Sequence, residues 1–154
     1  MQSYSLRKFQ SSSAYHELML VLPSIAHTCS FVVRDELVID EEGIGFIERI
    51  SLWLIGTARV SEWPGTKLLG QLADLYTYRF DSKLSSELLH AANRFGDWCA
   101  PSLPEDPAFY RVDGTMIMGS IVHEKDVYFE LTADEHREIT ASAPSAGLVE
   151  ERTV

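Results

Sequence analysis

The chain has 154 residues, and 13 Lys and Arg against 23 Asp and Glu give a formal charge of -10. That length fits one ordinary domain and excludes an enzyme with a separate cofactor module. A composition of 45% hydrophobic and 23% charged residues excludes wholesale disorder, and the acidic balance sets nucleic acid and anionic membrane surfaces aside as partners.

Residues 2–9 read as an extended lead-in, followed by Ser11, Ser12 and Ser13, a supply of N-cap hydroxyls for a helix to about Thr28. Tyr15, Leu18, Met19, Leu22, Ile25 and Ala26 form its apolar face, with Pro23 expected to kink or split it. The apolar run Leu18–Leu22 is too short and its flanks too polar for a secretory leader or a membrane span. Cys29 and Cys99 lie 70 positions apart, neither a disulfide framework nor a zinc spacing, so free thiols and a cytoplasmic location are expected.

Phe31–Val33 and Leu37–Ile39 are short β-branched runs around Asp35 and Glu36, which predicts a strand pair or a strand and a turn. The segment 44–55 fits two periods. Alternation places Ile44, Phe46, Ile50, Leu52 and Leu54 on one strand face, whereas a helix places Phe46, Ile47, Ile50, Trp53 and Leu54 on one stripe. The acids Asp40, Glu41 and Glu42 at its start and Gly56 at its end favour the helix; Gly43 and Gly45 oppose it. Trp63-Pro64-Gly65-Thr66 is a turn, with a short helix over 68–75 before a strand 76–80.

Asp81 and Ser82 cap a helix to about Trp98, and the three prolines of 100–107 make that segment a rigid loop. Three strands then follow around Asp113-Gly114 and Glu124-Lys125, carrying Phe109, Ile117, Ile121, Tyr128 or their neighbours into the core. Thr132 caps a last helix to about Ile139. The expected architecture is α+β, an antiparallel sheet with a C-terminal β-meander and helices packed mainly on one face. Residues 1–140 form its single domain, and 141–154 its mobile tail.

Candidate chemistry is sparse. Gly114 and Gly119 have phosphate-loop spacing, but the Lys after the second glycine is missing and the segment is strand-like; Gly119 reads as a sheet position where side chains crowd. Gly43-Ile44-Gly45 lacks the third glycine of a dinucleotide fingerprint. His123-Glu124 has no second His one helical turn on, so no metal site is expected, and no cofactor. Cys99 with His90 or His123 as base would make a small enzyme or ligand-binding cleft, the alternative function, although a cysteine ending an amphipathic helix reads as core. The adjacent acids Glu105 and Asp106 in a Pro-rich loop read as solvated.

What stands out is charge placement. Asp35, Glu36, Asp40, Glu41 and Glu42 put five acids in eight residues with no Lys or Arg among them, a solvated surface or one built to meet a basic partner. Trp63, before Pro64-Gly65 in an exposed turn, completes the expected partner-binding set as an aromatic anchor.

The stretch from Trp98 through Cys99, Pro101, Glu105, Asp106 and Pro107 to Arg111, with Gly119–Glu124 and Leu131-Thr132, resembles the C-terminal part of small bacterial immunity proteins of polymorphic toxin and contact-dependent inhibition systems. The resemblance covers roughly the last third and transfers no functional residue. It implies a cytoplasmic, non-enzymatic inhibitor that blocks one toxin domain by occlusion or by acidic mimicry, its partner being a protein, a basic toxin domain among the candidates.

Overall fold

The computed structural model describes residues 1–151. An amphipathic helix or a half-apolar strand must bury one side, and here both do so against one another across an antiparallel sheet. In chain order the main elements are β1 (Gln2–Leu6), α1 (Ser12–Val21), β2 (Thr28–Arg34), α2 (Glu41–Arg49), β3 (Leu54–Val60), β4 (Glu62–Trp63), β5 (Thr66–Lys67) and β6 (Ala73–Arg79). They continue with α3 (Ser82–Ala91), β7 (Glu105–Tyr110), β8 (Met116–Ile121), β9 (Asp126–Leu131), α4 (Ala133–Ser142) and β10 (Leu148–Glu150). Eight strands form one sheet in the order β10-β1-β9-β8-β7-β2-β6-β3, while β4 and β5 make a separate hairpin. The fold is α+β, as expected.

Pairing sorts the side chains onto two faces, because Cα partners share a face. Cys29 sits opposite Tyr78 and Phe109, Phe109 opposite Met118, and Met118 opposite Phe129. This row meets the helices: Phe31 packs against Trp98 and Phe46, Phe80 against Phe109, and Tyr4 stacks on His136 of α4. The Tyr15 hydroxyl donates to the Leu88 carbonyl and accepts from the Trp98 indole, so two buried polar tips satisfy each other between α1 and α3.

On the opposite face lie Val32, Ala73, Tyr128 and Gly119, covered in part by the β4–β5 hairpin through Trp63 and Gly65. Gly119 is crowded, as its sequence setting implies, by Tyr128 and Met116. Tyr128 lies against both Gly65 and Gly119, and burial pushes its phenol up to about 12.

The meander β7–β8–β9 forms as expected, with Phe109 and Ile117 in the core; Phe129 takes the inward position beside Tyr128, and Ile121 and Tyr128 are half-buried on the hairpin side. Ser11, Asp81 and Thr132 cap their helices through their side-chain oxygens. Several boundaries differ from expectation. Helix α1 stops at Val21 and gives way to a 3₁₀ turn containing Pro23. Leu37–Ile39 is not a strand, because Leu37 N–H turns back to the Arg34 carbonyl. The 44–55 helix ends at Arg49, and Leu54 onward is strand, with Gly56 inside it rather than at a helix end. No helix occupies 68–75. The 82–98 helix ends at Ala91, and Glu105–Pro107 belong to a strand rather than a loop. The tail expected over 141–154 is structured as far as described: α4 runs to Ser142 and Leu148–Glu150 pair with Leu6–Tyr4, leaving 152–154 outside the described residues.

Arg111 ties the meander to α4. It donates from Nε and Nη2 to both Glu135 oxygens at 2.8 and 2.7 Å, from Nη1 to the Met116 carbonyl at 2.8 Å, and from Nη2 also to the Glu130 carbonyl at 2.6 Å. The guanidinium's hydrogen bonds hold the Glu135 carboxyl below the usual range. A depressed folded-state value means this stabilisation is present above the ordinary carboxylate range and is lost as pH falls through the depressed value. Arg111→Gln should therefore cost about 2 kcal/mol at neutral pH in urea unfolding, and the gap from the parent should narrow on acidification.

A Cβ on Gly119 would lie 2.6 Å from the Tyr128 ring. Gly119→Ala should lower the unfolding free energy by about 1–3 kcal/mol, and Gly119→Ala combined with Tyr128→Leu should recover part of that loss relative to Tyr128→Leu alone.

Candidate interaction surface

The acidic segment does not form one uncompensated patch. Asp35 receives both terminal nitrogens of Arg59, with Nη1 at 2.8 Å, and the same Nη1 reaches Asp74 at 2.9 Å. These hydrogen bonds hold the Asp35 carboxyl below the ordinary range. Glu36 lies 3.5 Å from the Arg34 guanidinium. The cations missing from the stretch itself arrive from β2 and β3.

Asp40, Glu41 and Glu42 serve the start of α2. The Asp40 carboxylate accepts from Gly43 N–H at 3.0 Å and from the Ser102 hydroxyl at 3.3 Å, while Glu41 and Glu42 occupy the first turn, where the helix dipole favours negative charge. Both glutamates are exposed. The five acids thus divide between the turn after β2 and the N-terminus of α2.

Trp63 is not an exposed anchor. It is 7% accessible, and its indole N–H donates to Asp106 Oδ2 at 2.9 Å. Arg34 covers its ring at 5.1 Å. Glu105 and Asp106 are likewise buried rather than solvated. Asp106 accepts from Val122 N–H at 2.9 Å as well, and Arg34 Nε lies 3.2 Å from Glu105 Oε2. That contact is close enough for attraction but too poorly aligned for a hydrogen bond, which leaves Nε and Nη2 of Arg34 unpaired. Burial raises the Glu105 carboxyl, and Arg34 opposes the rise. The hairpin docks by this network because Pro64 and Gly65, at φ +83°, close a turn tight enough to lay Trp63 on the sheet.

The catalytic alternative joins Cys99 to His90 or His123. Cys99 is exposed beside a groove of about 370 Å³, whose lining includes Glu42, Asp97 and Ser102 but neither His90 nor His123. Burial, then Glu105 and Asp97, push its thiol upward, opposite to the depression that makes a thiolate nucleophile. The His90 ring instead meets the Ser86 carbonyl through Nδ1 at 2.8 Å. Among the described residues no group of three His, Cys, Asp or Glu could hold a metal ion, and no helix is long and apolar enough to cross a membrane.

The feature missed by sequence reasoning is β3. Among the described residues it is an edge strand, paired with β6 on one side only, and each residue from Leu54 to Arg59 is exposed. Leu54, Thr57 and Arg59 pair opposite Tyr78, Tyr76 and Asp74 on the helix side, while Gly56, Ala58 and Val60 face the hairpin side. Both faces of the strand are therefore open from Leu54 to Arg59, while Val60 packs against the Trp63 cluster. Ile55 is the extra residue of a bulge between Leu54 and Gly56, and it is 62% exposed, with Leu52 just before it at 84%. The Trp53 indole fixes the start of β3 by donating to the Asp81 carboxylate at 3.1 Å. A signal was present in Thr57 and Val60, but Gly56 obscured it by resembling a helix stop.

No family model, curated protein or solved structure matches this chain.

Asp106→Ala would leave the Trp63 indole, the Val122 amide and Arg34 facing an apolar hole. It should cost about 3–5 kcal/mol in chemical denaturation, whereas Trp63→Phe, which removes one donor, should cost about 1–2 kcal/mol beyond its lost packing.

Proposed function

We propose that this protein is a partner-binding inhibitor of the immunity type, neutralising a protein toxin by covering it rather than by catalysis. The observation that carries the reading is β3, an edge strand whose two faces are open from Leu54 to Arg59, with Leu54 and Ile55 exposed on it and Leu52 exposed just ahead of it. Monomeric proteins ordinarily protect such edges, and an open one beside exposed apolar side chains is suited to a second protein. The field of a chain carrying -10 adds long-range attraction for a basic partner. The reading also draws on the resemblance of residues 98–111, 119–124 and 131–132 to bacterial immunity proteins, which implies a bacterial cytoplasm as its setting.

The test is co-expression with the protein encoded by the neighbouring reading frame. The expected results are protection of the host from growth arrest and a stable complex on gel filtration; neither appearing would refute the inhibitor reading. Within such a complex, Glu41→Lys with Glu42→Lys should cost the free chain about 1–2 kcal/mol through the lost helix-dipole stabilisation and leave it folded. Association should slow severalfold at low salt, with the difference shrinking as salt is raised, measured by stopped-flow mixing.

A further inference from the structure

We infer that β3 docks an extended, cationic segment of the partner, which adds a ninth strand to the sheet beside Gly56–Val60. This deepens the partner-binding reading and rests on it.

The ladder of β3 with β6 is regular from Gly56 to Val60, so the opposite side of the same five residues presents backbone donors and acceptors in strand geometry. The bulge at Ile55 ends that regular stretch and turns an apolar side chain outward at its margin, where Leu52 and Leu54 are also exposed. Gly56 has open space where a Cβ would be, and Ala58 is small, so the hairpin side of the edge leaves room for a partner's side chains.

Charge selects the occupant. A charged residue in an edge strand ordinarily repels a docking strand, and Arg59 is the charged residue of β3. Its guanidinium is held by Asp35 and Asp74 together, so the guard is neutralised and the trio carries one net negative charge. Glu36 lies next to Asp35 in sequence, and Glu62 follows the strand. A second copy of this chain would bring the same aspartates together and be repelled, whereas a strand with Lys or Arg at alternate positions would place cations against them.

The probe is a synthetic peptide of about seven residues alternating lysine with valine and threonine, acetylated and amidated, with its glutamate counterpart and an N-methylated form unable to extend a ladder. Docking at β3 predicts that the lysine peptide slows hydrogen exchange at alternate amides of Gly56–Val60. It also predicts that both control peptides bind at least about tenfold more weakly. Ile55→Lys with Thr57→Lys, both at exposed positions, should keep the melting temperature and lose the lysine peptide. Equal binding of the N-methylated peptide overturns the inference without reliance on any variant. So does peptide protection confined to α2, or a native dimer by light scattering whose β3 amides are protected. If the toxin complex forms while β3 amides exchange as fast as in the free chain, docking at this edge is wrong and the inhibitor reading stands. Peptide docking without any toxin complex keeps the edge site and removes the inhibitor reading.

Discussion

A carboxylate with no exposed surface of its own, that of Asp106, anchors the side of the sheet that the helices leave uncovered. It binds the Trp63 indole from the β4–β5 hairpin and the Val122 amide from the turn after β8, with the Arg34 guanidinium 4.0 Å away. Asp106 itself has φ +53°, a left-handed backbone that an aspartate tolerates better than most residues. The energetic logic is that of a buried ion: removing charge from water is costly, so the surrounding groups must meet it closely or the hairpin would not stay docked. Because Trp63 packs with Val32 and Ala73, this polar contact also keeps a small apolar cluster dry on the second face.

The helix side uses a different balance. There the core is aromatic and aliphatic, and its buried polar tips pair with one another or with backbone, as Tyr15 does with Trp98 and Leu88. The two sides are held apart by strands whose side chains alternate between them, so β2 contributes Phe31 to the aromatic core and its neighbour Val32 to the hairpin cluster. An edge strand at the margin of such a sheet inherits neither cover. As far as Arg59, β3 lies beyond the helices on one face and beyond Trp63 on the other, so Leu54 and Thr57 on the helix side and Ala58 on the hairpin side are all exposed.

The acid-rich segment shows how charge and topology interact. Asp35 and Glu36 follow directly from β2, and antiparallel pairing brings β6 and then β3 alongside, so Asp74 and Arg59 converge on Asp35. Asp40, Glu41 and Glu42 answer instead to the unpaired N–H groups and the dipole of α2. One sequence cluster therefore has two local causes, and what remains for a partner is the residual negative field and the open backbone of the edge.

The sequence by itself determined the elements whose signals are local. The caps Ser11, Asp81 and Thr132 bond backbone amides three residues on, the turns at Asp113-Gly114 and Lys125 need left-handed backbone, and the meander follows a two-residue period. The same local evidence placed Asp40 at the start of α2 but could not say where the helix stops, since 50–55 is apolar in both periods and only the availability of β6 as a partner draws Leu54 into a strand. Tertiary structure alone decided the rest. Trp63, Glu105 and Asp106 read as exposed because a Pro-Gly turn and a Pro-rich loop are usually solvated, and nothing local reveals that Arg34, some 30 and 70 positions away, waits across the sheet. Whether a strand is central or at the edge is a property of strand order, which depends on contacts distant in sequence, and so the open side of β3 could not be read from its own residues.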